Sequence, residues 1–296
     1  MTTLTLAQIP PQTGRTVVVT GASSGIGRVT AQVLAARGAR VVLAVRDVDR
    51  GRAAAATMTG DVVVRPLDLA DLSSVRAFAA DLDGPVDVLV NNAGVMVPPF
   101  SRTVDGFELQ LGTNHLGHFA LTNLLLPRVR QRVVTVSSNA HRFGAIDFTD
   151  LNWERRRYRP MAAYGQSKLA NLLFTSELQR RLEAAASPVI AVAAHPGMAA
   201  THLLTERRGL RNLLYRVSVP VAQSAEDGAL PTLLATVGDV PGDSYAGPGG
   251  FLEGRGAPTL VGRSARARDA AVARRLWDVS ETLTDVRFPA DLAGAR

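Results

Sequence analysis

Residues 16–28, "TVVVTGASSGIGR", join a short β-branched run to a loop with glycines at 21, 25 and 27, and then to a helical pattern. A continuous apolar run of this length suits a strand buried on both faces. Three glycines between a strand and a helix serve three needs: a tight turn, close approach of a pyrophosphate to the backbone, and close packing of the helix on the sheet. The helix N-terminus beyond them offers free N–H groups and the positive end of its dipole. The stretch predicts the first βαβ unit of a dinucleotide-binding sheet. Its cradle consists of Gly21, Ser23, Ser24, Gly25, Ile26 and Gly27.

The same alternation continues outward. Apolar runs at 40–45, 61–67, 86–90, 132–137 and 187–195 alternate with Ala-rich stretches at 26–37, 49–58, 71–82, 103–126 and 161–186 that are long enough for crossover helices. This pattern predicts an α/β, Rossmann-type doubly wound parallel sheet with helices on both faces, forming a single domain over 1–296. After residue 197 the alternation gives way to an irregular region, read as a substrate lid around 198–219. A helix over 222–237, a short strand within 240–254 and a C-terminal helix over 265–282 follow.

Composition narrows the function. The chain has 296 residues, of which 46% are hydrophobic and 20% charged, and it has no cysteine, so disulfides, thiolate metal sites and cysteine nucleophiles are excluded. No apolar run approaches the ~20 residues of a membrane span, and the first residues lack a secretory pattern, which predicts a cytoplasmic protein without a membrane anchor. The net charge of +7 and the arginine runs at 153–159 and 263–275 raise the question of nucleic acid. Acidic residues interrupt both runs, and aromatics for base stacking make up only 5% of the chain, so a small-molecule partner is expected and nucleic acid is not.

The second strand ends "LAVRD". An acidic residue at its end would bind the adenosine ribose and favour NAD, but Val45 stands there and Arg46 follows, where a guanidinium could clamp a 2′-phosphate. NADP(H) is therefore expected over NAD(H). A register shift of one would substitute Asp47 and reverse this, and Arg46 could equally be a surface residue capping the strand.

Lys168 is the only lysine among 33 basic residues. It stands four residues after Tyr164, so a helix places both side chains on one face, one turn apart. A cation there favours the phenolate of a group whose proton otherwise leaves near pH ~10, and a rotatable ammonium can also donate to a ribose. Ser137 and Ser138 fall where the fifth strand leaves the sheet, at the carboxyl edge where such folds form their ligand crevice. Either hydroxyl could bond a substrate oxygen or satisfy local backbone.

These residues, in order, resemble the short-chain dehydrogenases/reductases: "TGASSGIG" (20–27), "LDLAD" (67–71), "NNAG" (91–94), Asn114 in "TNHLGHF", Ser138, "YGQSK" (164–168) and "HPGMAAT" (195–201). The resemblance implies that Tyr164 is the general acid/base, Ser138 polarises the substrate carbonyl with Ser137 as the fallback, and Lys168 binds the ribose. It further implies that Asn114 holds a water linking Lys168 to solvent. Asp68 and Leu69 would lie by the adenine, Asn91, Ala93 and Gly94 by its ribose, and Pro196, Gly197 and Thr201 by the nicotinamide. Within the family, "AVRD", "NHLGHFALT", "SKLANLLF" and "RRLWDVS" are most similar to the branch holding retinol dehydrogenases and protochlorophyllide reductase, which implies a bulky apolar or ring-bearing substrate. The long segment between Ser138 and Tyr164 also resembles this branch. Trp153 and Tyr158 are expected to pack a loop near the substrate mouth, with His141 in a structural role. The helices at 103–126 and 161–186 resemble those that pair into homodimers and homotetramers. A dinucleotide-binding scaffold or sensor without turnover is the alternative to an oxidoreductase.

Overall fold

The structure, a computed structural model, describes residues 4–198 and 223–293. Eight strands form one sheet: β1 (Thr16–Thr20), β2 (Arg40–Val45), β3 (Asp61–Pro66), β4 (Val86–Asn91), β5 (Val129–Val136), β6 (Ile190–Ala194), β7 (Tyr245–Pro248) and β8 (Pro258–Leu260). Their order across the sheet is β3-β2-β1-β4-β5-β6-β7-β8. All neighbours are parallel except β7 and β8, which pair antiparallel. The order reverses between β1 and β4, and the carboxyl ends of these two strands open the crevice where such sheets bind ligands. β4 is buried along its length and β1 at every residue after Thr16, as continuous Val and Leu runs require.

Helices α1 (Gly25–Ala36), α2 (Val48–Ala55) and α3 (Leu72–Asp81) follow the first three strands. The expected helix over 103–126 is shorter and broken. Gly106 takes φ +88 in a turn, and Glu108 accepts the N–H groups of Gln110 and Leu111 to start α4 (Leu109–Leu111). A π turn over Gly112–Leu116 follows, and α5 (Gly117–Leu125) completes the segment. Propensity alone does not reveal a cap formed by a buried carboxylate or an inserted π turn. α6 (Pro160–Ala184), α7 (Ala225–Val237) and α8 (Ala270–Thr284) lie close to their expected ranges, and β8 is an addition to the expected set.

α8 docks on α5 and α6 through Trp277, which stacks on Phe174 at 5.6 Å and meets Phe119 edge-on at 4.9 Å. From Ala163 to Gln179 every residue of α6 except Ser176 is buried. This chain's own C-terminal helix thus packs on a helix that the resemblance associates with subunit pairing. No helix among the described residues is long and apolar enough to cross a membrane.

Candidate active site

The phosphate loop is as tight as its glycines suggested. Gly21 takes φ +66, and a Cβ there would lie 2.9 Å from Ala93; at Gly27 a Cβ would lie 2.3 Å from Asn92 Nδ2 and 2.7 Å from the Gly21 carbonyl. The loop and the segment after β4 are thus pressed together with no room for a side chain, leaving the N-terminus of α1 facing the crevice. This cradle fits a dinucleotide pyrophosphate. At the end of β2, Asp47 accepts the N–H of Arg50 at 2.9 Å and caps α2. Its carboxylate is engaged by its own helix, Val45 is buried at the strand end, and Arg46 is exposed.

Asp68 is half-buried and accepts the Ala70 N–H at 2.9 Å, while the Leu69 side chain is buried. Asn91 differs from expectation in detail. Its side chain is fully buried and donates to Thr122 Oγ1 at 2.8 Å, so it can reach a ribose through its backbone alone. Ala93 and Gly94 line the far side of the loop, and a Cβ on Gly94 would lie 3.1 Å from Asn114 Oδ1 and 3.5 Å from Lys168 Nζ. Gly197 takes φ +65 and sits against Pro248 and the Gly254 carbonyl, and the Pro196 carbonyl accepts from Gln223. Thr201 and nearly all of the expected lid at 198–219 lie outside the described residues.

The two serines have different surroundings. Ser137 is buried and donates to the Lys168 carbonyl at 2.7 Å, tying β5 to α6. Ser138 is half-buried; its hydroxyl accepts the Ala140 N–H at 3.2 Å and lies beside the Tyr164 phenol. Of the pair, only Ser138 is placed beside the phenol. Lys168 donates to the Val136 carbonyl at 3.0 Å, and its Nζ lies 5.7 Å from the centroid of the Tyr164 ring. Asn114 lies in the π turn. Its amide brackets Val95, accepting the N–H at 2.8 Å and donating to the carbonyl at 3.0 Å, and it also donates to Ser167 Oγ at 2.9 Å.

Burial shifts the two titrating groups in opposite directions. The Tyr164 phenol is pushed up to about 12 by desolvation, against a smaller lowering by the Ser138 hydrogen bond. The Lys168 ammonium is pushed down to about 8 by desolvation. At neutral pH both groups keep their protons. The site therefore holds an acid beside a cation, and desolvation rather than the Lys168 charge dominates the phenol.

The segment between Ser138 and Tyr164 is a built wall. The Asp150 carboxylate accepts the backbone N–H groups of Glu154, Arg155 and Arg156. Arg156 stacks over Trp153 at 3.8 Å and donates to Gln166 on α6. Tyr158 donates to the buried Glu108 at 2.9 Å and meets Phe100 edge-on at 5.1 Å, joining this wall to the loop after Gly94. His141 is held between the Ser138 carbonyl at 2.8 Å and the Ser264 N–H at 3.2 Å, a structural arrangement. His118, Thr20 and Ser167 belong to the site's frame and were not singled out from sequence. The four-residue step from Asn114 to His118 was the readable signal.

The family description "short chain dehydrogenase" matches residues 15–211. The chain belongs to the short-chain dehydrogenases. Among its relatives within the family are retinol dehydrogenases. The chain is 43% identical to retinol dehydrogenase 12 of Mus musculus, over 96% of this chain and 90% of that protein. It is likewise 43% identical to retinol dehydrogenase 13 of Homo sapiens, over 93% of this chain and 86% of that one. Among solved structures, an uncharacterised protein from Mycobacterium paratuberculosis shares 57% identity with a TM-score of 0.87, covering 97% of this chain and 100% of that one. The Pseudomonas aeruginosa RhlG/NADP active-site complex shares 26% identity with a TM-score of 0.62, covering 79% and 94%. This short-chain dehydrogenase is thus an oxidoreductase of the retinol dehydrogenase branch, from a family that binds nicotinamide dinucleotides and acts on alcohols or carbonyls.

Proposed function

We propose that the protein transfers hydride between NADP(H) and a carbonyl or secondary alcohol of a bulky apolar or ring-bearing molecule, with Tyr164 as general acid/base. The observation that carries this reading is the placement of Ser138 at the carboxyl edge of β5, beside Tyr164 and with Lys168 one helical turn further along α6, its Nζ 5.7 Å from the phenol ring. A bound NADPH supplies a hydride to the carbonyl carbon. Ser138 and Tyr164 hold the carbonyl oxygen, and Tyr164 delivers the proton that completes the alcohol. Lys168, charged at neutral pH, stabilises the phenolate left behind and has donors to spare for a ribose hydroxyl. Asn114 holds the loop at Val95 in place beside it.

The preference for NADP(H) is supported by Asp47, whose role as the cap of α2 leaves Arg46 as the charged group at the end of β2. The apolar substrate class is supported by exposed side chains next to site residues. Phe143 lies against Gly165, Met161 stands one turn before Tyr164, and Phe251 and Leu252 are 86% and 77% exposed beside Asn139. That the named relatives are retinol dehydrogenases points the same way.

Turnover of a panel of apolar aldehydes and ketones with NADPH tests the reading. Tyr164→Phe should lose at least about a hundredfold in kcat, the ordinary worth of a positioned acid. Retention of full turnover in that variant refutes the proton-transfer role, and tight NADPH binding by the wild type without turnover on any substrate supports the scaffold alternative. Arg46→Ala should weaken NADPH but not NADH by roughly tenfold or more, the loss expected of a charge-assisted hydrogen bond; an unchanged ratio removes the 2′-phosphate assignment.

A further inference from the structure

Thr20 ends β1 directly before the phosphate loop, and its hydroxyl is fully used. Its Oγ1 accepts the backbone N–H groups of Asn92 and Ala93, each at 2.9 Å, and lies 2.9 Å from His118 Nε2. On the other edge of the same imidazole, Nδ1 lies 3.1 Å from the Asn114 carbonyl. A carbonyl only accepts, so Nδ1 carries the proton; Nε2 is then bare and, at 2.9 Å, accepts the Thr20 hydroxyl proton ahead of the Val90 carbonyl at 3.4 Å. One line of hydrogen bonds thus runs from Asn114, through His118 and Thr20, to the backbone of the loop at 92–93. That loop is the one pressed against Gly21 and Gly27. At its other end, the Asn114 side chain brackets Val95 and sits with Lys168 around Gly94.

We propose that His118 is a positioning residue of the proposed reaction, holding the Asn114 carbonyl on one side and the cofactor loop on the other in a single register. The inference rests on the reading of this site as an NADP(H) oxidoreductase. It explains why an imidazole stands there. A donor on one edge and an acceptor on the opposite edge are offered together by neutral histidine, whereas an asparagine or glutamine amide carries both at one end. The π turn, closed by the Gly117 N–H on the Gly112 carbonyl, puts the helix out of step next to Asn114, as π turns at functional sites commonly do. Burial and the neighbouring Lys168 charge keep the ring neutral, so the tautomer is fixed. A protonated ring would point a second N–H at a Thr20 oxygen already occupied by two donors.

Three substitutions separate the two ends of the line. His118→Asn keeps a donor for the Asn114 carbonyl and loses Thr20; His118→Gln reaches Thr20 and loses Asn114; His118→Phe fills the space and loses both. The asparagine variant should weaken NADPH binding about tenfold, by fluorescence titration, with kcat within about twofold of wild type. The glutamine variant should show the reverse split, and the phenylalanine variant both losses. If the phenylalanine variant does not fold, the asparagine and glutamine pair carries the test. Folded variants that keep both NADPH affinity and kcat within twofold overturn the proposal, as do asparagine and glutamine variants that lose both quantities in parallel. Long-range 15N–1H NMR of the wild-type imidazole provides an arm independent of turnover: a proton on Nε2 at pH 7 overturns the assignment. A wild type that binds NADPH poorly but shows the Nδ1–H tautomer shows instead that the oxidoreductase reading has failed, while the hydrogen-bond line stands.

Discussion

Acidification from pH 7 to pH 5 should strip much of the protein's stability, because four buried histidines are pushed down by desolvation, three of them far. His115, His118 and His195 are 2%, 1% and 0% exposed. Desolvation pushes them down to about 3, about 4 and about 3, with help from neighbouring cations and from one another. In the unfolded chain each titrates near ~6.5. Above that value neither state binds the proton and stability is unaffected; below it the unfolded chain takes up three protons that the folded chain refuses. Each contributes a slope approaching about 1.4 kcal/mol per pH unit, or about 2 kcal/mol between pH 7 and pH 5. The total of roughly 6 kcal/mol is comparable with the whole stability of about 5–15 kcal/mol typical of folded proteins. Glu108 works in the opposite direction, since burial raises its carboxyl and its protonation on acidification favours the fold. It is one group against these histidines. Asp71, Asp147 and Asp150, all held below their usual range, add further losses only at more acid pH. The assay is urea unfolding at pH 7, 6 and 5, followed by tryptophan fluorescence and circular dichroism, with the denaturant slope held constant as the check for two-state behaviour. His115→Phe, placed among Phe119 and Phe174, should remove about a third of the pH dependence. A loss below about 2 kcal/mol between pH 7 and pH 5 would falsify the reasoning, since it would mean that these rings are hydrated or already charged.

Gly27→Ala should abolish dinucleotide binding, because its Cβ would stand 2.3 Å from Asn92 Nδ2 and 2.7 Å from the Gly21 carbonyl; calorimetric titration with NADPH checks this. Trp277→Ala should cost about 3–5 kcal/mol in urea unfolding, the usual range for emptying a buried aromatic site, and should loosen α8 from α5 and α6. Lys168→Arg, which conserves charge, should lose most of the activity, since a planar guanidinium does not fit where Nζ lies within 3.5 Å of a Gly94 Cβ position. Lys168→Met should lose activity yet raise the urea midpoint, because a cation pushed down to about 8 by desolvation is destabilising at neutral pH, and Asn171 still donates to the Val136 carbonyl.

Features governed by period were readable from the sequence, and features governed by tertiary contacts were not. The strand runs at 16–20 and 40–45 match β1 and β2 in full, because a strand buried on both faces is built mostly from apolar residues. The helix expected over 103–126 starts six residues late because Glu108 finds its partners through folding, including Asn152 and Tyr158 from the distant wall. The choice between Ser137 and Ser138 could not be made from alternation, since both leave the same strand end. The side chains differ in the folded chain: Ser137 donates to the Lys168 carbonyl, whereas Ser138 lies beside the Tyr164 phenol. The ambiguity at Asp47 had the same origin. Whether a carboxylate faces a ribose or caps its own helix depends on one peptide unit of rotation, which no pattern of apolar residues encodes.

The buried groups of the site also show how a histidine and a lysine meet the same burial differently. Burial strengthens a hydrogen bond or a charge interaction by removing water, and it penalises any group that must be charged there. His118 avoids the penalty by staying neutral and using both ring edges. Lys168 cannot, since its proposed role requires the charge, and it remains protonated at neutral pH only because its shift stops at about 8. Above that pH the ammonium is lost while Tyr164, at about 12, still holds its proton. Carbonyl reduction should therefore decline as pH rises through about 8, from loss of the cation rather than of the acid. The decline should be shallower in NADPH binding, where a ribose contact from Lys168 is one among the contacts of the whole glycine cradle at the α1 end of the crevice. This separates the role of Lys168 in the chemical step from that of the glycine cradle in holding the cofactor.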